Sequence, residues 1–182
     1  MNRHNCVYWA PENLDVHVDK AVNLPGVNVW CGLSATGFMG PFFFEGTVTG
    51  EAYLEMLRSS ILPAIRALYG NSEVFYQQDG ERPHYHRDVR AFLDEYLQGH
   101  WVGRRGTFEF PLRSPPLDFY LWGTLKDVVY RKKPATLGDL RAEIRAACAA
   151  IPINTLTEVA QSTVRRCNWR LAANGKQFEH LH

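Results

Sequence analysis

Two aspartates in this chain follow signals that place a carboxylate at the end of a structural element. Asp79 comes directly after the apolar and aromatic run Val74–Gln78, and a glycine and then a proline follow it. Such a run predicts a strand, and the glycine and proline predict a sharp turn at its end. Asp118 lies at the start of a second apolar run that predicts a helix. Carboxylates from separate elements supply the hard oxygen ligands that Mg²⁺ prefers, and paired ions assist phosphoryl transfer.

Each of these residues also has an ordinary structural explanation. An aspartate at a strand end is more often a turn or capping residue than a catalytic one. Asp118 falls in the first turn of its predicted helix, where the helix dipole favours an ionised carboxylate by up to about 1 kcal/mol. His84 and His86 alternate in the loop after Asp79 and could form a metal pair, although loop histidines more commonly form only hydrogen bonds. The residues alone leave both interpretations open.

Basic residues are concentrated in one part of the sequence. Residues 1–79 contain 4 lysines and arginines against 8 aspartates and glutamates, whereas residues 80–182 contain 16 against 11. A cationic cluster can neutralise the phosphates of a nucleic acid, but it can equally be a solvated helix end and a charged loop, which is the better explanation without other evidence. The members of this basic cluster are Arg104, Arg105, Arg113, Lys126, Arg131, Lys132 and Lys133.

Length and composition indicate one globular domain over residues 1–182. The sequence is 46% hydrophobic and 21% charged, which argues against disorder. The 4 cysteines have no zinc-type spacing, which predicts reduced, mostly buried thiols and an intracellular protein. No apolar run reaches the ~18 residues of a membrane span, and the first residues lack the apolar region of a signal peptide. We therefore expect no membrane partner.

The pattern along the chain predicts an α/β fold, with a few strands followed mainly by helices. Thr49 and Thr136 are predicted helix N-caps, Pro63 is expected to kink the first helix and Gly70 to end it. The aromatic run Phe42–Phe44 is expected to pack in the core rather than to stack on bases. The predicted strands are 27–35, 38–45, 74–78, 101–103 and 107–110, of which the first two are expected to form a hairpin. The predicted helices begin near residues 50, 88, 117, 137 and 154.

The motifs around the two aspartates resemble those of the catalytic domain of mariner-like transposases. The first reads Gln77-Gln78-Asp79-Gly80 followed by Pro83-His84, and the second reads Ser114-Pro115-Pro116-Leu117-Asp118-Phe119-Tyr120-Leu121-Trp122. The resemblance covers essentially the whole chain. It implies a ribonuclease-H-like fold and a cut-and-paste DNA transposase in which three acidic ligands hold Mg²⁺ or Mn²⁺. By motif, Asp79 corresponds to the second ligand and Asp118 to the third, and the basic cluster flanks the helix on which transposon DNA is expected to lie.

The sequence departs from the family pattern at two places. The first acidic ligand of the family lies on a strand just upstream of the segment that begins here at Met1, and the segment from Ser114 to Asp118 is shorter than its family counterpart. The resemblance therefore implies an incomplete ribonuclease-H-like fold: a mixed sheet that lacks its first central strand, with flanking helices and a helical C-terminus. The family's helix-turn-helix region is expected to be absent from these residues. With two of three carboxylates, we expect no DNA cleavage or strand transfer.

Partners and location follow from the same resemblance. It implies binding to DNA at transposon ends and at TA target sites, pairing as a homodimer or with an intact transposase, and a nuclear location, or a cytoplasmic one if the protein is not imported. Two other functions remain open. One is a repurposed, non-catalytic module that binds nucleic acid or interacts with a transposase, and the other is an unrelated α/β protein in which Asp79 and Asp118 are structural.

Overall fold

The computed structural model describes residues 26–109 and 120–172 of the chain, and these residues form a mixture of short strands and helices. The strands are β1 (Asn28–Leu33), β2 (Phe38–Phe44), β3 (Tyr76–Gln77), β4 (Trp101–Gly103) and β5 (Phe108–Glu109). The helices are α1 (Gly50–Met56), α2 (Leu62–Tyr69), α3 (Arg87–Leu97), α4 (Trp122–Arg131), α5 (Leu137–Ala149) and α6 (Ile153–Ala172), and a π-helical turn over Leu57–Ile61 joins α1 to α2. The predicted α/β class is confirmed.

The first two strands form the predicted hairpin. They pair antiparallel along their lengths, with a register shift between Trp30 and Gly32. The amide of Ser34 donates to the carbonyl of Gly37 at 2.9 Å and closes the turn between them. The side chains of Phe42–Phe44 are half-buried and pack against the two hydrophobic cores, as the sequence predicts. The hairpin therefore contacts both hydrophobic cores.

The remaining strands form a parallel ladder in the order β3-β4-β5. A tight loop over residues 104–107 returns the chain from β4 to β5, and Arg105 in this loop has a φ of 59°. The predicted strand over residues 74–78 is shorter in the structure, where only Tyr76–Gln77 pair as strand. Within the described residues the hairpin and the parallel ladder are two separate sheets. The predicted single mixed sheet, which would contain both the hairpin and the parallel ladder, therefore stays a prediction.

The helical segment after the hairpin begins and ends as the sequence predicts. The side-chain oxygen of Thr49 accepts a hydrogen bond from the Ala52 amide at 3.1 Å, which satisfies one of the free amides at the start of α1. Pro63 lies in the first turn of α2, directly after the π-helical turn. Because proline has no amide hydrogen for the preceding turn, the regular helical hydrogen bonding is interrupted there. Gly70, with a φ of 59°, ends α2.

Two hydrophobic cores hold these elements together. The first is formed by α1, the π-helical turn, α2, α3, β3 and β4, and its fully buried members include Tyr53 and Trp101. The second is formed by α4, α5 and Cys31 of β1. The burial of apolar side chains is the main favourable contribution to folding, at roughly 25 cal/mol per Å². Strands β3 and β4, through the buried Tyr76 and Trp101, belong to the first core.

The C-terminal helices follow their predicted patterns with two exceptions. Thr136 and Asp139 form the predicted capping box at the start of α5. On α4, Val129 is buried and the predicted core residue Val128 is 41% exposed, because the buried stripe recurs every fourth residue. On α6, the predicted core residue Val164 is 60% exposed. The predicted start of α4 at Leu117 lies outside the described residues.

Cys31 and Cys148 are buried free thiols, as predicted. Cys6 and the side chain of Cys167 are outside the described residues. In the described ranges, no helix is both long enough and apolar enough to cross a membrane.

Close packing around Trp101 gives a test of this fold. A Cβ atom added at Gly106 would lie 2.7 Å from the Trp101 ring, which is fully buried, so we expect Gly106→Ala to lower the free energy of unfolding by about 1–3 kcal/mol. Gly123 lies in α4 and has no neighbour among the described residues within 4 Å of an added Cβ, so the matched control Gly123→Ala is expected to raise the free energy of unfolding by up to about 1 kcal/mol. Urea unfolding followed by circular dichroism measures both changes, and an equal response would contradict the packing.

Candidate metal and nucleic-acid site

Asp79 follows directly on the parallel pairing of β3 with β4. The Tyr76 amide donates to the His100 carbonyl at 2.9 Å, and the Gln78 amide donates to the Val102 carbonyl at 3.0 Å. The ladder hydrogen bonds therefore continue to the residue immediately before Asp79. This fixes the point at which the chain leaves the sheet, and it confirms that Asp79 lies at a strand end.

The Asp79 carboxylate is held by the loop that follows it. Its Oδ1 atom accepts a short hydrogen bond from Nδ1 of His84 and another, at 3.1 Å, from the Glu81 amide. Burial raises the pKa of the Asp79 carboxyl, but the hydrogen bond and attraction from His84, together with the Glu81 amide, outweigh burial, so the net pKa lies below its ordinary value. The side chain is 44% exposed. Asp79 is thus an anion that solvent can reach at neutral pH.

A buried polar network lies behind this carboxylate. The Gln78 side chain is 6% exposed; its Oε1 accepts from the Tyr53 hydroxyl at 3.0 Å, and its Nε2 donates to the His84 carbonyl at 2.8 Å. The Tyr53 hydroxyl is also 2.7 Å from that of Tyr76. Burial, with the neighbouring Tyr76 and Asp79, raises the pKa of Tyr53 well above its ordinary value, so this hydroxyl keeps its proton. The network connects helix α1, strand β3 and the loop.

The geometry of Asp79 is suitable for one ligand of a hard divalent cation. Both hydrogen bonds from the described residues end on Oδ1, so within that part of the chain Oδ2 is open for coordination. An ionised carboxylate with an open oxygen is the donor that Mg²⁺ or Mn²⁺ takes in proteins. Residues 26–109 and 120–172 contain no group of three or more histidines, cysteines, aspartates or glutamates that could hold a metal ion. The described residues therefore supply one fitting ligand.

The second predicted ligand cannot be placed. Asp118 lies outside the described residues, as does Arg113 of the basic cluster. Whether the Asp79 and Asp118 carboxylates converge stays a prediction. His84 and His86 have different contacts. His84 binds the Asp79 carboxylate, whereas His86 lies directly before α3 and packs against Gly50, where an added Cβ would be 2.4 Å from its ring.

The described members of the basic cluster are all exposed and lie in two places. Arg104 and Arg105 share the loop between β4 and β5, and the Arg104 guanidinium lies 4.3 Å from the Tyr85 ring centroid, beside the loop that follows Asp79. The others lie on α4 or directly after it: Lys126, Arg131, Lys132 and Lys133. Lys132 forms an ion pair with Glu143 at 2.5 Å. Phosphate binding by these residues stays a prediction.

Neither Tyr53 nor Gln78 was predicted as a site residue, although Gln78 is part of the first motif. One signal was available for Gln78. Side chains two positions apart in a strand point to the same face, so Gln78 shares a face with the buried Tyr76. A buried amide needs partners for both its oxygen and its nitrogen, so this position predicts a polar network. For Tyr53, 25 positions before Gln78, the sequence pattern contains no signal beyond a core residue.

Comparison with known proteins supports the resemblance found in the motifs. The chain is 29% identical over 154 residues to the Transposable element Tcb1 transposase of Caenorhabditis briggsae, a match that covers 82% of this chain and 52% of that protein. Its fold is similar to a chain in the crystal structure of the Mos1 Strand Transfer Complex, with a TM-score of 0.69, 17% identity and coverage of 95% of this chain and 50% of that one. No family model matches the sequence. The chain thus spans about half the length of each protein, and its resemblance to mariner-like transposases is confirmed.

The lowered pKa of Asp79 predicts a pH-dependent contribution to stability. Because the folded-state pKa lies below the ordinary value of 3.8, the ionised form stabilises the fold above about pH 4, and this contribution is lost as the pH falls through the folded-state pKa. Asp79→Asn is therefore expected to destabilise the protein at pH 7 and to have a smaller effect near pH 3. Urea unfolding at both pH values measures the difference.

The control for this experiment is Asp127→Asn, which changes an exposed aspartate on α4. We expect it to have a small effect at both pH values. A destabilisation by Asp79→Asn that stays constant between pH 7 and pH 3 would contradict the role given to the Asp79 charge.

Proposed function

We propose that this chain is part of the catalytic domain of a cut-and-paste DNA transposase of the mariner-like group, whose intact members carry out metal-dependent DNA cleavage and strand transfer, and that these 182 residues are inactive by themselves. One observation carries the proposal: the carboxylate of the Gln-Gln-Asp-Gly motif lies at the end of a strand, with one oxygen that accepts no hydrogen bond from the described residues, in a fold similar to that of the Mos1 structure. The sequence relationship to the Tcb1 transposase supports it independently.

In this proposal Asp79 and Asp118 are two of three carboxylate ligands for Mg²⁺ or Mn²⁺. When bound, such ions activate a water or a DNA 3′-hydroxyl and stabilise the leaving oxygen. The role of Asp79 is to keep an ionised oxygen available at the strand end, which His84 and the Glu81 amide support. Asp118 is assigned by its motif alone. The third carboxylate would come from a strand that joins the two described sheets, as in a complete ribonuclease-H-like fold.

The proposed partner is DNA at transposon ends and at TA target steps, which are easily deformed. The exposed lysines and arginines of the loop after β4 and of the end of α4 support this, because phosphate contacts supply most of the affinity in such complexes. Pairing with a second copy or with an intact transposase, and a nuclear location, belong to the same proposal. Since this cationic surface does not depend on a metal, the second candidate function is non-catalytic binding of nucleic acid or of a transposase.

Metal binding tests the first proposal. We expect Mn²⁺ to bind the 182-residue polypeptide weakly in isothermal titration calorimetry, and Asp79→Asn to abolish the binding heat, because an amide oxygen lacks the negative charge of the ligand. Asp127→Asn is the matched control and is expected to bind as the wild type does. In a plasmid-nicking assay with Mg²⁺ or Mn²⁺ we expect no activity, since the motifs supply two of three ligands.

Either of two results would contradict this account. Wild-type binding of Mn²⁺ that is retained in Asp79→Asn would show that the cation binds elsewhere. Nicking by the 182-residue polypeptide that is abolished by Asp79→Ala would show that two family carboxylates are enough, or that another residue replaces the third.

DNA binding is expected to depend on salt through the basic cluster. Each phosphate contact contributes a slope of about −0.9 to the dependence of log affinity on log salt concentration, so Lys126→Ala combined with Lys133→Ala should reduce the slope by roughly 2. Fluorescence anisotropy with a short DNA duplex, at salt concentrations from about 50 to about 200 mM, measures this slope. Arg66→Ala, an exposed change on α2, is the control and should leave the slope unchanged. An equal reduction of the slope in the double lysine variant and in Arg66→Ala would contradict a localised DNA-binding surface.

A further inference from the structure

We propose that Tyr53, Gln78 and His84 are positioning residues that hold the Asp79 carboxylate by one oxygen so that the other faces the bound cation. This inference rests on the proposed function, because it deepens the role of Asp79 as a metal ligand. None of the three residues is itself a ligand in this account. Each acts on the metal through Asp79 or through the backbone of the loop that carries His84.

The contact between His84 and Asp79 fixes one proton. An ionised carboxylate can only accept hydrogen bonds, so Nδ1 of His84 must carry the hydrogen that points to Oδ1. The Glu81 amide donates to the same oxygen at 3.1 Å. Two donors on Oδ1 fix the position of that oxygen, which restricts both side-chain torsions of Asp79, including the rotamer about its Cα–Cβ bond. The direction of Oδ2 is thereby set before any cation binds.

His84 is in turn held on three sides. The Gln78 Nε2 atom donates to its carbonyl at 2.8 Å, its own amide donates to the Glu81 carbonyl at 3.0 Å, and its ring lies 4.3 Å from the Tyr53 ring centroid. The side chain is 18% exposed. The two hydrogen bonds restrict the backbone of His84, and the Tyr53 ring restricts its imidazole, which would lose that contact if it turned away from Asp79.

The buried part of the network has one consistent arrangement of protons. The His84 carbonyl only accepts, so the Gln78 Nε2 group faces it and the Oε1 atom faces Tyr53. The single hydroxyl hydrogen of Tyr53 is then used for Gln78, and Tyr76 must donate to the Tyr53 oxygen across their 2.7 Å contact. In this arrangement each of these three contacts has one donor and one acceptor. A fully satisfied buried network makes its members rigid, which is what the positioning of a ligand requires.

Residues behind a metal ligand influence affinity strongly. Removing a residue that hydrogen-bonds to and orients a metal-coordinating side chain typically weakens metal binding about 10–100-fold. His84 is the direct partner, and Tyr53 and Gln78 are one step further away. We therefore expect the loss of His84 to have the larger effect on Asp79, and the loss of the Tyr53 hydroxyl to have a smaller one.

The first experiment is made without metal. In the full chain, the side-chain rotamer of Asp79 is measured by NMR three-bond couplings, together with the ¹³Cγ resonance of its carboxylate. We expect one rotamer in the wild type, rotamer averaging in His84→Leu, and recovery of one rotamer in His84→Asn, whose amide nitrogen can replace Nδ1 as donor. An unchanged single rotamer in His84→Leu would overturn the inference.

The second experiment adds Mn²⁺ to the same proteins. We expect about a 10–100-fold loss of affinity in His84→Leu, recovery to within about 3-fold of wild type in His84→Asn, and a loss of about 3–10-fold in Tyr53→Phe. Tyr69→Phe is the control for the last change, since the Tyr69 hydroxyl bonds Thr36 outside this network. Thermal unfolding tests whether each variant is folded. If His84→Leu is unfolded, the comparison of Tyr53→Phe with Tyr69→Phe decides whether the network positions Asp79.

The outcomes separate this inference from the proposed function. If the wild type takes up no Mn²⁺, the metal proposal fails, and the NMR measurement alone decides whether His84 positions Asp79. If Mn²⁺ binds with equal affinity to the wild type, His84→Leu and Tyr53→Phe, the positioning inference fails while the metal proposal stands.

Discussion

The buried side-chain amide of Gln78 connects the three elements on which the candidate site depends. The backbone amide of Gln78 bonds to β4. Its side-chain oxygen accepts a hydrogen bond from Tyr53 of α1, and its side-chain nitrogen donates to the carbonyl of His84 in the loop. A buried amide that lost either partner would cost about 1–3 kcal/mol, so the strand end, the helix and the loop are constrained to move together. Asp79 lies inside this constraint and is still 44% exposed.

The same constraint explains how a two-residue strand can present the candidate ligand Asp79 with a defined direction. The β3 ladder is short, and the first core around Tyr53 and Trp101 supplies the support that a longer strand would give. Arg104, in the loop after β4, stacks on Tyr85, so one exposed cation lies against the loop whose His84 holds the Asp79 carboxylate. A metal-dependent DNA enzyme needs both: an anionic ligand for the cation and a cationic surface for the phosphates.

Local signals predicted much of the fold, because caps, turns and periodic apolar residues depend on near neighbours. The Thr49 cap, the Thr136 capping box and the first hairpin are examples. Features that depend on distant contacts were not predictable in this way: Val128 and Val129 differ in exposure through the packing of α4, and Tyr53 reaches Gln78 only in the folded chain. In the candidate site, the position of Asp79 at a strand end followed from the sequence, whereas the way its carboxylate is held did not.

We propose that the carboxylates of Asp79 and Asp118 converge on shared divalent cations. A crystal structure of the protein grown with Mn²⁺, with an anomalous-scattering map, tests this most directly. The account predicts an anomalous peak at roughly 2 Å from an oxygen of Asp79 and from an oxygen of Asp118. Carboxylates separated by much more than about 8 Å, with no peak beside Asp79, would contradict it, because no pair of ions could then bridge the two residues.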